Sequence, residues 1–388
     1  MKAMRDAVIV GYGRSPIGKA KKGTLAQVYP TQFAAATLRG VLEKVPQLKW
    51  DMIDDVIVGC AKQELMQGKN MGRVICQIAG LPNSVPAQTL NRFCSSGLQS
   101  VSVGANAIMT GQADVVIAGG VESMSMLPMN ADDPRTYDPE LKITNPSVYT
   151  PMGITAENVA RKYHLSRVEL DSFSLQSQKK AAQARETGKF RREIIPLNVK
   201  DIDGNIRFMD EDEYIRPTTT MEKLAALSPA FLENGCVTAG NSSGTSDGAA
   251  FVVIMSDKKA HELGIKPIAK FLGYAVGGVD PRYMGLGPTV AVPKLLEYLN
   301  MDITQFDAIE LNEAFASQAI ACIRDLNLPE ERVNPRGGAI AMGHPLGATG
   351  AILLCKALSY LTDIKGRFAL VTMCIGGGMG AAGAIEMV

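Results

Sequence analysis

The chain has 388 residues, and its 40 Lys and Arg against 39 Asp and Glu give a formal charge of +1. That balance leaves no electrostatic footprint for nucleic acid or an anionic membrane, and 46% apolar with 20% charged residues excludes a disordered chain. Seven scattered cysteines argue against a disulfide framework and for a reducing, cytoplasmic setting, while three histidines, His164, His261 and His344, leave almost no material for a multi-histidine metal site.

The start, MKAMRDAVIVGYGRSP, moves straight into a β-branched run and lacks the apolar segment of a signal peptide. Ala7–Val10 reads as a strand ending at Gly11, and Thr31–Lys44 as a helix with Phe33, Ala34, Leu38, Val41 and Leu42 on one face. Asp55–Val58 reads as a buried strand, Cys94–Met109 as a helix, and Asp114–Ala118 as a strand closing on Gly119-Gly120. From about 121 to 245 the composition turns to Pro, Asp and Met, with turn signals at Asp132-Asp133-Pro134 and Asp203-Gly204 and helices at Thr155–Tyr163 and Arg167–Glu186. This stretch reads as an insertion of the kind that supplies a lid or a binding wall.

The remainder repeats the opening plan. Lys270–Tyr274 answers to the first strand and Val290–Leu299 to the first helix, and MDITQFDAIELNEA parallels WDMIDDVIVGC. Gly347–Leu361 reads as a helix and Phe368–Cys374 as a strand closing on Gly376-Gly377-Gly378. The run from Phe368 to Ile385 is uncharged but carries five glycines, which favours a buried strand and a Gly-rich turn over a membrane span. The order predicts an α/β protein built from two similar halves, at 1–262 and 266–388, with the insertion in the first.

Four blocks could carry chemistry. VPAQTLNRFCSSGLQS places Cys94 where an extended run meets a helix, so that unpaired N–H groups favour thiolate; its plain alternative is a small core residue. GGAIAMGHPLGATG sets His344 between Gly343 and Pro345 in small-residue surroundings. An imidazole beside a thiol is the required base, although a lone His is more often structural. VTMCIGGGMGAAG offers a second thiol, Cys374, at a strand end. ELNEAFASQ puts Asn312 and Glu313 between a strand and a helix, a usual address for active-site polar groups, with helix capping as the alternative for Asn312.

With NRFCSSG, NEAFA, GHPLGATG and CIGGGMG in this order, the sequence resembles the thiolase family over essentially its whole length. The resemblance implies a five-layered αβαβα fold of duplicated halves with a loop-domain insertion. It also implies a homodimer or dimer of dimers acting on coenzyme A and acyl-CoA thioesters, with no metal or redox cofactor. It makes Cys94 the nucleophile, His344 its base, and Cys374 the acid that protonates the leaving enolate. Asn312 would hold a water that forms, with His344, an oxyanion hole for the enolate. The backbone N–H groups of Cys94 and Gly376 would form a second hole. VTAGNSSGTSDGAA resembles the pantetheine-binding loop, which assigns Ala239 and Ser243 to coenzyme A, and Arg216 resembles an arginine beside the adenine nucleotide. Arg216 as an ordinary surface cation stays open. Met152 and Phe315 are placed by the same resemblance against the bound thioester.

Two departures stand out. Short-chain acetoacetyl-CoA thiolases commonly carry His-Met-Gly where this chain has Pro151-Met152-Gly153, a form closer to degradative 3-ketoacyl-CoA thiolases of fatty-acid β-oxidation. GYGRSPIG replaces the family's usual Ala-Arg-Thr-Pro. Alternatives are an acetoacetyl-CoA thiolase, a ketoacyl-synthase-like condensing enzyme, and a non-catalytic acyl-CoA carrier. The condensing enzymes pair Cys with two His or with His and Asn, and a carrier would have lost the thiols or His344. The same resemblance admits a multienzyme β-oxidation complex as a partner.

Overall fold

The computed structural model describes residues 4–127 and 136–388. The expected turn at Asp132-Asp133-Pro134 lies outside the described residues. In the first half, strands β1 (Ala7–Arg14), β2 (Asp55–Gly59), β3 (Ala87–Leu90), β4 (Val115–Ser123) and β5 (Ser246–Ser256) lie in the order β1-β5-β4-β2-β3. In the second, β6 (Ala269–Gly278), β7 (Ala308–Leu311), β8 (Phe368–Ile375) and β9 (Met379–Met387) lie in the order β6-β9-β8-β7. The strands that match in the two halves also match in direction: β4–β2 and β8–β7 are parallel, while β5–β4 and β9–β8 are antiparallel. Register pairs Val8 with Lys270 and Ile9 with Ala269, so that β1 and β6 join the sheets of the two halves into one 10-stranded sheet, its tenth strand the short Gly18–Lys19 segment beside β5.

Alternation along the strands explains the layering. In β2, Val56 and Val58 face a core with Phe33, Leu38 and Val41 of α1 (Pro30–Glu43) and Ile75 and Cys76 of α2 (Met71–Ala79). Ile57, between them, faces the central core, which also holds α3 (Ser96–Met109) and a long apolar helix at Leu346–Ile364. Such two-faced burial requires continuously apolar strands. The second half mirrors this, with Ile309, Leu311 and Leu370 packing against α6 (Pro288–Leu299) and α7 (Ala316–Asp325). The insertion contributes α4 (Met152–Lys162) and α5 (Arg167–Glu186), the latter opened by a capping box of Ser166 and Glu169. Numbering in chain order makes Leu346–Ile364 α8, and the result is helix, sheet, paired central helices, sheet, helix.

The acidic turns seen in both halves are short 3-10 turns, Trp50–Met52 and Ile303–Gln305, each leading into a strand. Two differences from the sequence reading stand out. Cys94 sits not in α3 but in a 3-10 turn, Phe93–Ser95, that precedes it. β4 does not close at Gly119-Gly120 but continues to Ser123. Those glycines provide room rather than termination: a Cβ on Gly120 would lie 2.1 Å from the Gly347 carbonyl oxygen of α8. The uncharged C-terminal run is a hairpin of β8, the Gly376–Gly378 turn and β9. Among the described residues no helix is long and apolar enough to cross a membrane.

Candidate active site

The two central helices bring the site together. A Cβ on Gly350 would lie 2.4 Å from the backbone nitrogen of Leu98, so α3 and α8 touch backbone to backbone near their N-terminal ends. Cys94 immediately precedes α3 and His344 immediately precedes α8.

The Cys94 turn is built from strain and side-chain hydrogen bonds. Phe93 adopts φ +44°, a left-handed conformation that costs a bulky residue of order 1–3 kcal/mol and persists only when its surroundings enforce it. Its N–H donates to Asn91 Oδ1 at 2.7 Å, and its carbonyl accepts from Ser96 Oγ at 2.7 Å. Ser95 Oγ meets Tyr274 Oη of the other half at 2.9 Å. The Cys94 sulfur lies within reach of the Gly376 N–H and of its own. Burial pushes the thiol pKa up to about 11; those two N–H groups pull against that shift and the Glu122 carboxylate adds to it. Cys374, at the end of β8, is fully buried with Met284, Ala314 and Phe315. Its thiol is raised well above the ordinary range by burial first and then by Cys94 and Cys322.

His344 is buried, and its tautomer follows from its neighbours. Thr349 Oγ donates to the Pro345 carbonyl at 3.1 Å, so its lone pair faces Nδ1 at 2.6 Å and Nδ1 carries the proton. Nε2 is left unprotonated, 3.4 Å from Asn312 Nδ2. Desolvation lowers the imidazole pKa to about 4, so at neutral pH it is an uncharged base. Asn312 Oδ1 is buried and has no hydrogen-bond partner among the described residues. A cavity of about 10 Å³ lined by Asn312, Gly343, Thr349 and Lys356 lies there, close to the lower bound for one water.

Asn312 does not cap α7, whose N-cap is Phe315 with no side-chain cap bond. Glu313 points away from the thiols: it accepts from Ser177 Oγ at 2.6 Å, Asn334 Nδ2 at 2.9 Å and Ile340 N at 3.2 Å, bracing the loop before His344. Met152 Sδ and the Phe93 ring both stand 3.9 Å from where a Gly376 Cβ would be, and Phe315 meets Phe231 edge-on at 6.1 Å. Ser243 N donates to the Ala314 carbonyl at 3.0 Å, and His344 N donates to the Gly244 carbonyl at 3.1 Å, so the 241–246 loop links both motifs. Ala239 and Arg216 are exposed, and the Arg216 guanidinium makes no hydrogen bond or ion pair among the described residues. Sequence reasoning missed Thr349, Met284 and Glu122. Thr349 stood inside GHPLGATG, whereas Met284 carried no pattern of its own. A groove of about 540 Å³ between α5 and α7 touches these residues only through Glu313.

A family model described as "Thiolase, N-terminal domain" matches residues 7–258, and one described as "Thiolase, C-terminal domain" matches residues 265–387. The chain belongs to the thiolase family. Among relatives of this thiolase chain, a 3-ketoacyl-CoA thiolase of Bacillus subtilis (strain 168) is 48% identical over 395 residues, covering 99% of this chain and 100% of the relative. A beta-ketoadipyl-CoA thiolase of Pseudomonas putida is 43% identical over 402 residues, with the same coverage. The crystal structure of the Bacillus anthracis acetyl-CoA acetyltransferase superposes with a TM-score of 0.92 at 36% identity, covering 100% of both chains. Like the rest of its family, the protein is an acyltransferase. Among the described residues no cluster of three or more His, Cys, Asp or Glu could hold a metal ion.

Proposed function

We propose that the chain cleaves 3-ketoacyl-CoA with coenzyme A in fatty-acid β-oxidation, yielding acetyl-CoA and a shortened acyl-CoA through an acyl-Cys94 intermediate. The observation that carries this reading is the placement of Cys94 against the Gly376 N–H and Cys374, in a site whose imidazole is neutral with Nε2 unprotonated. Cys94 Sγ attacks the 3-keto carbon as its proton passes to His344 Nε2. The alkoxide accepts from the Cys94 and Gly376 N–H groups, and its collapse breaks the carbon–carbon bond and expels the enolate of acetyl-CoA. The enolate oxygen is met by the His344 imidazolium and a water held by Asn312, and its carbon takes the Cys374 proton. Coenzyme A thiol then gives its proton to the Cys374 thiolate and attacks acyl-Cys94; collapse of the tetrahedral adduct breaks the acyl–Cys94 bond, releases the shortened thioester, and the expelled Cys94 thiolate takes back its proton from the His344 imidazolium. No metal or redox cofactor enters these steps.

Arg216 is assigned to the adenine nucleotide, Ala239 and Ser243 to the pantetheine arm, and Met152 and Phe315 to the acyl wall. The protein is further proposed to work in the cytoplasm as a homodimer or a dimer of dimers. The roles are tested by two variants. Cys94→Ser abolishes turnover, whereas Cys374→Ser still accepts an acetyl group from acetyl-CoA on Cys94 but no longer makes or breaks carbon–carbon bonds. Equal acetylation and equal turnover in both would overturn the assignment, read by intact-protein mass and a steady-state assay.

The Bacillus anthracis neighbour favours a second reading, transfer between acetyl groups, and the Pseudomonas putida relative adds a carboxylate-tipped acyl chain. Comparing kcat/KM on acetoacetyl-CoA, 3-oxoadipyl-CoA and 3-ketohexadecanoyl-CoA decides among them. The β-oxidation reading requires the long-chain substrate to be favoured over the four-carbon one.

A further inference from the structure

Glu122 is a buried carboxylate held by hydrogen bonds, with no salt bridge among the described residues, and the chemistry proposed above makes no use of it. It is the next-to-last residue of β4 and is fully buried. Its Oε2 accepts from Ala61 N at 2.9 Å and Gly347 N at 2.8 Å. Its Oε1 accepts from Gln67 Nε2 at 2.7 Å and, more weakly, from Lys62 N at 3.3 Å. These donors come from three separate segments of chain. Gly347 lies in the first turn of α8, three residues beyond His344, where the helix N-terminus favours a negative charge. A Cβ on Gly347 would stand 2.7 Å from Ala61 N, so the two backbones are already in contact around the carboxylate.

The other side of Ala61 leads to the nucleophile. Its carbonyl accepts from Asn91 Nδ2 at 2.9 Å, and Asn91 Oδ1 in turn accepts from the N–H of Phe93, the strained residue next to Cys94. One carboxylate therefore stands at the branch of two short hydrogen-bond paths, one to each half of the site. A buried carboxylate is expensive unless its hydrogen bonds are worth keeping.

We infer that Glu122 is a positioning residue for both catalytic loops, fastening the turn under Cys94 to the start of the helix that follows His344. This rests on the assignment of Cys94 as nucleophile and His344 as base. It gives Glu122 two separable properties, reach and charge. Reach holds the two loops in register. Burial pushes the Glu122 carboxyl up and its hydrogen bonds from Gln67, Gly347, Ala61 and Lys62 pull it back; the charge they hold opposes ionisation of the Cys94 thiol.

Two variants of the full-length enzyme separate these properties. Glu122→Gln keeps the size, removes the charge, and presents an N–H to a backbone N–H on one side. Glu122→Asp keeps the charge and draws it back by one methylene. Both are expected to lose at least tenfold in kcat for acetoacetyl-CoA thiolysis, with KM for coenzyme A held within about twofold. The pH midpoint of Cys94 alkylation by iodoacetamide, followed by intact-protein mass, moves down in the Gln variant and stays in place in the Asp variant. A merely structural role would not divide the two in this way. A folded Gln variant, judged by its thermal transition, that matches the wild type in kcat and midpoint overturns the inference; if it does not fold, the Asp variant decides on kcat alone. Failure of iodoacetamide to label Cys94 in the wild type would instead overturn the reading of the nucleophile.

Discussion

At the residue scale, His344 is defined by what surrounds it more than by what it is. Thr349 fixes its tautomer and burial holds its pKa down to about 4 from 6.5. The base is thus uncharged throughout the neutral range, and the acid limb of kcat/KM is expected near pH 4 rather than near 6.5. A limb near 6.5 would mean that water reaches the ring. Stability carries the same signature. The native state leaves this imidazole unprotonated where the unfolded chain protonates it, so its contribution is whole above pH 6.5 and is lost as pH falls toward 4. The full loss is about 3 kcal/mol. His344→Asn should remove that part of the slope in denaturant titrations run across this range.

At the element scale, β3 is the outermost strand of its half. It pairs with β2 on one side and has no strand partner within the described chain on the other. Open edges recruit further strands unless something blocks them. α2, which donates from Gly72 N to Thr89 Oγ of β3 at 2.8 Å, and the 3-10 turn before it leave apolar side chains exposed, with Leu65 at 75%, Met66 at 41% and Val74 at 44%, and Phe93, three residues beyond β3, is 47% exposed. These features make this edge a place where the two copies of the homodimer proposed above could pair. Sedimentation is expected to give twice the chain mass or a multiple of it, and a Met66→Asp, Val74→Asp double variant should run as a monomer. An unchanged sedimentation coefficient in that variant would place the interface elsewhere.

At the scale of the whole molecule, the order of layers was legible because each half buries its strands on both faces. Runs such as Asp55–Val58 and Phe368–Cys374 therefore stand out without alternation. The long insertion helix at Arg167–Glu186 was legible from its capping pattern and length. Cys94, His344 and Cys374 were legible because each interrupts a small-residue run at the end of an element. Glu122 was hidden: the two glycines before it read as the end of a strand, and nothing local marks a carboxylate whose donors lie at 61, 67 and 347. Arg14 was hidden in a similar way. It is fully buried against Glu193 and Asp212, tying β1 to the insertion through partners far along the chain.

Met152, proposed above to wall the acyl chain, is carried differently. It rides on α4, which packs through Val159 on Leu286 and Ala321 and belongs to neither sheet, whereas the thiols and the imidazole are set by backbone clasped between the central helices. The proposed acyl wall and the thiols therefore meet at one point, the Gly376 turn, where Met152 Sδ stands beside the backbone that faces Cys94. A lineage that exchanged Met152 to suit a new acyl tail would also press on that turn, so tail preference and bond-breaking rate would be inherited together.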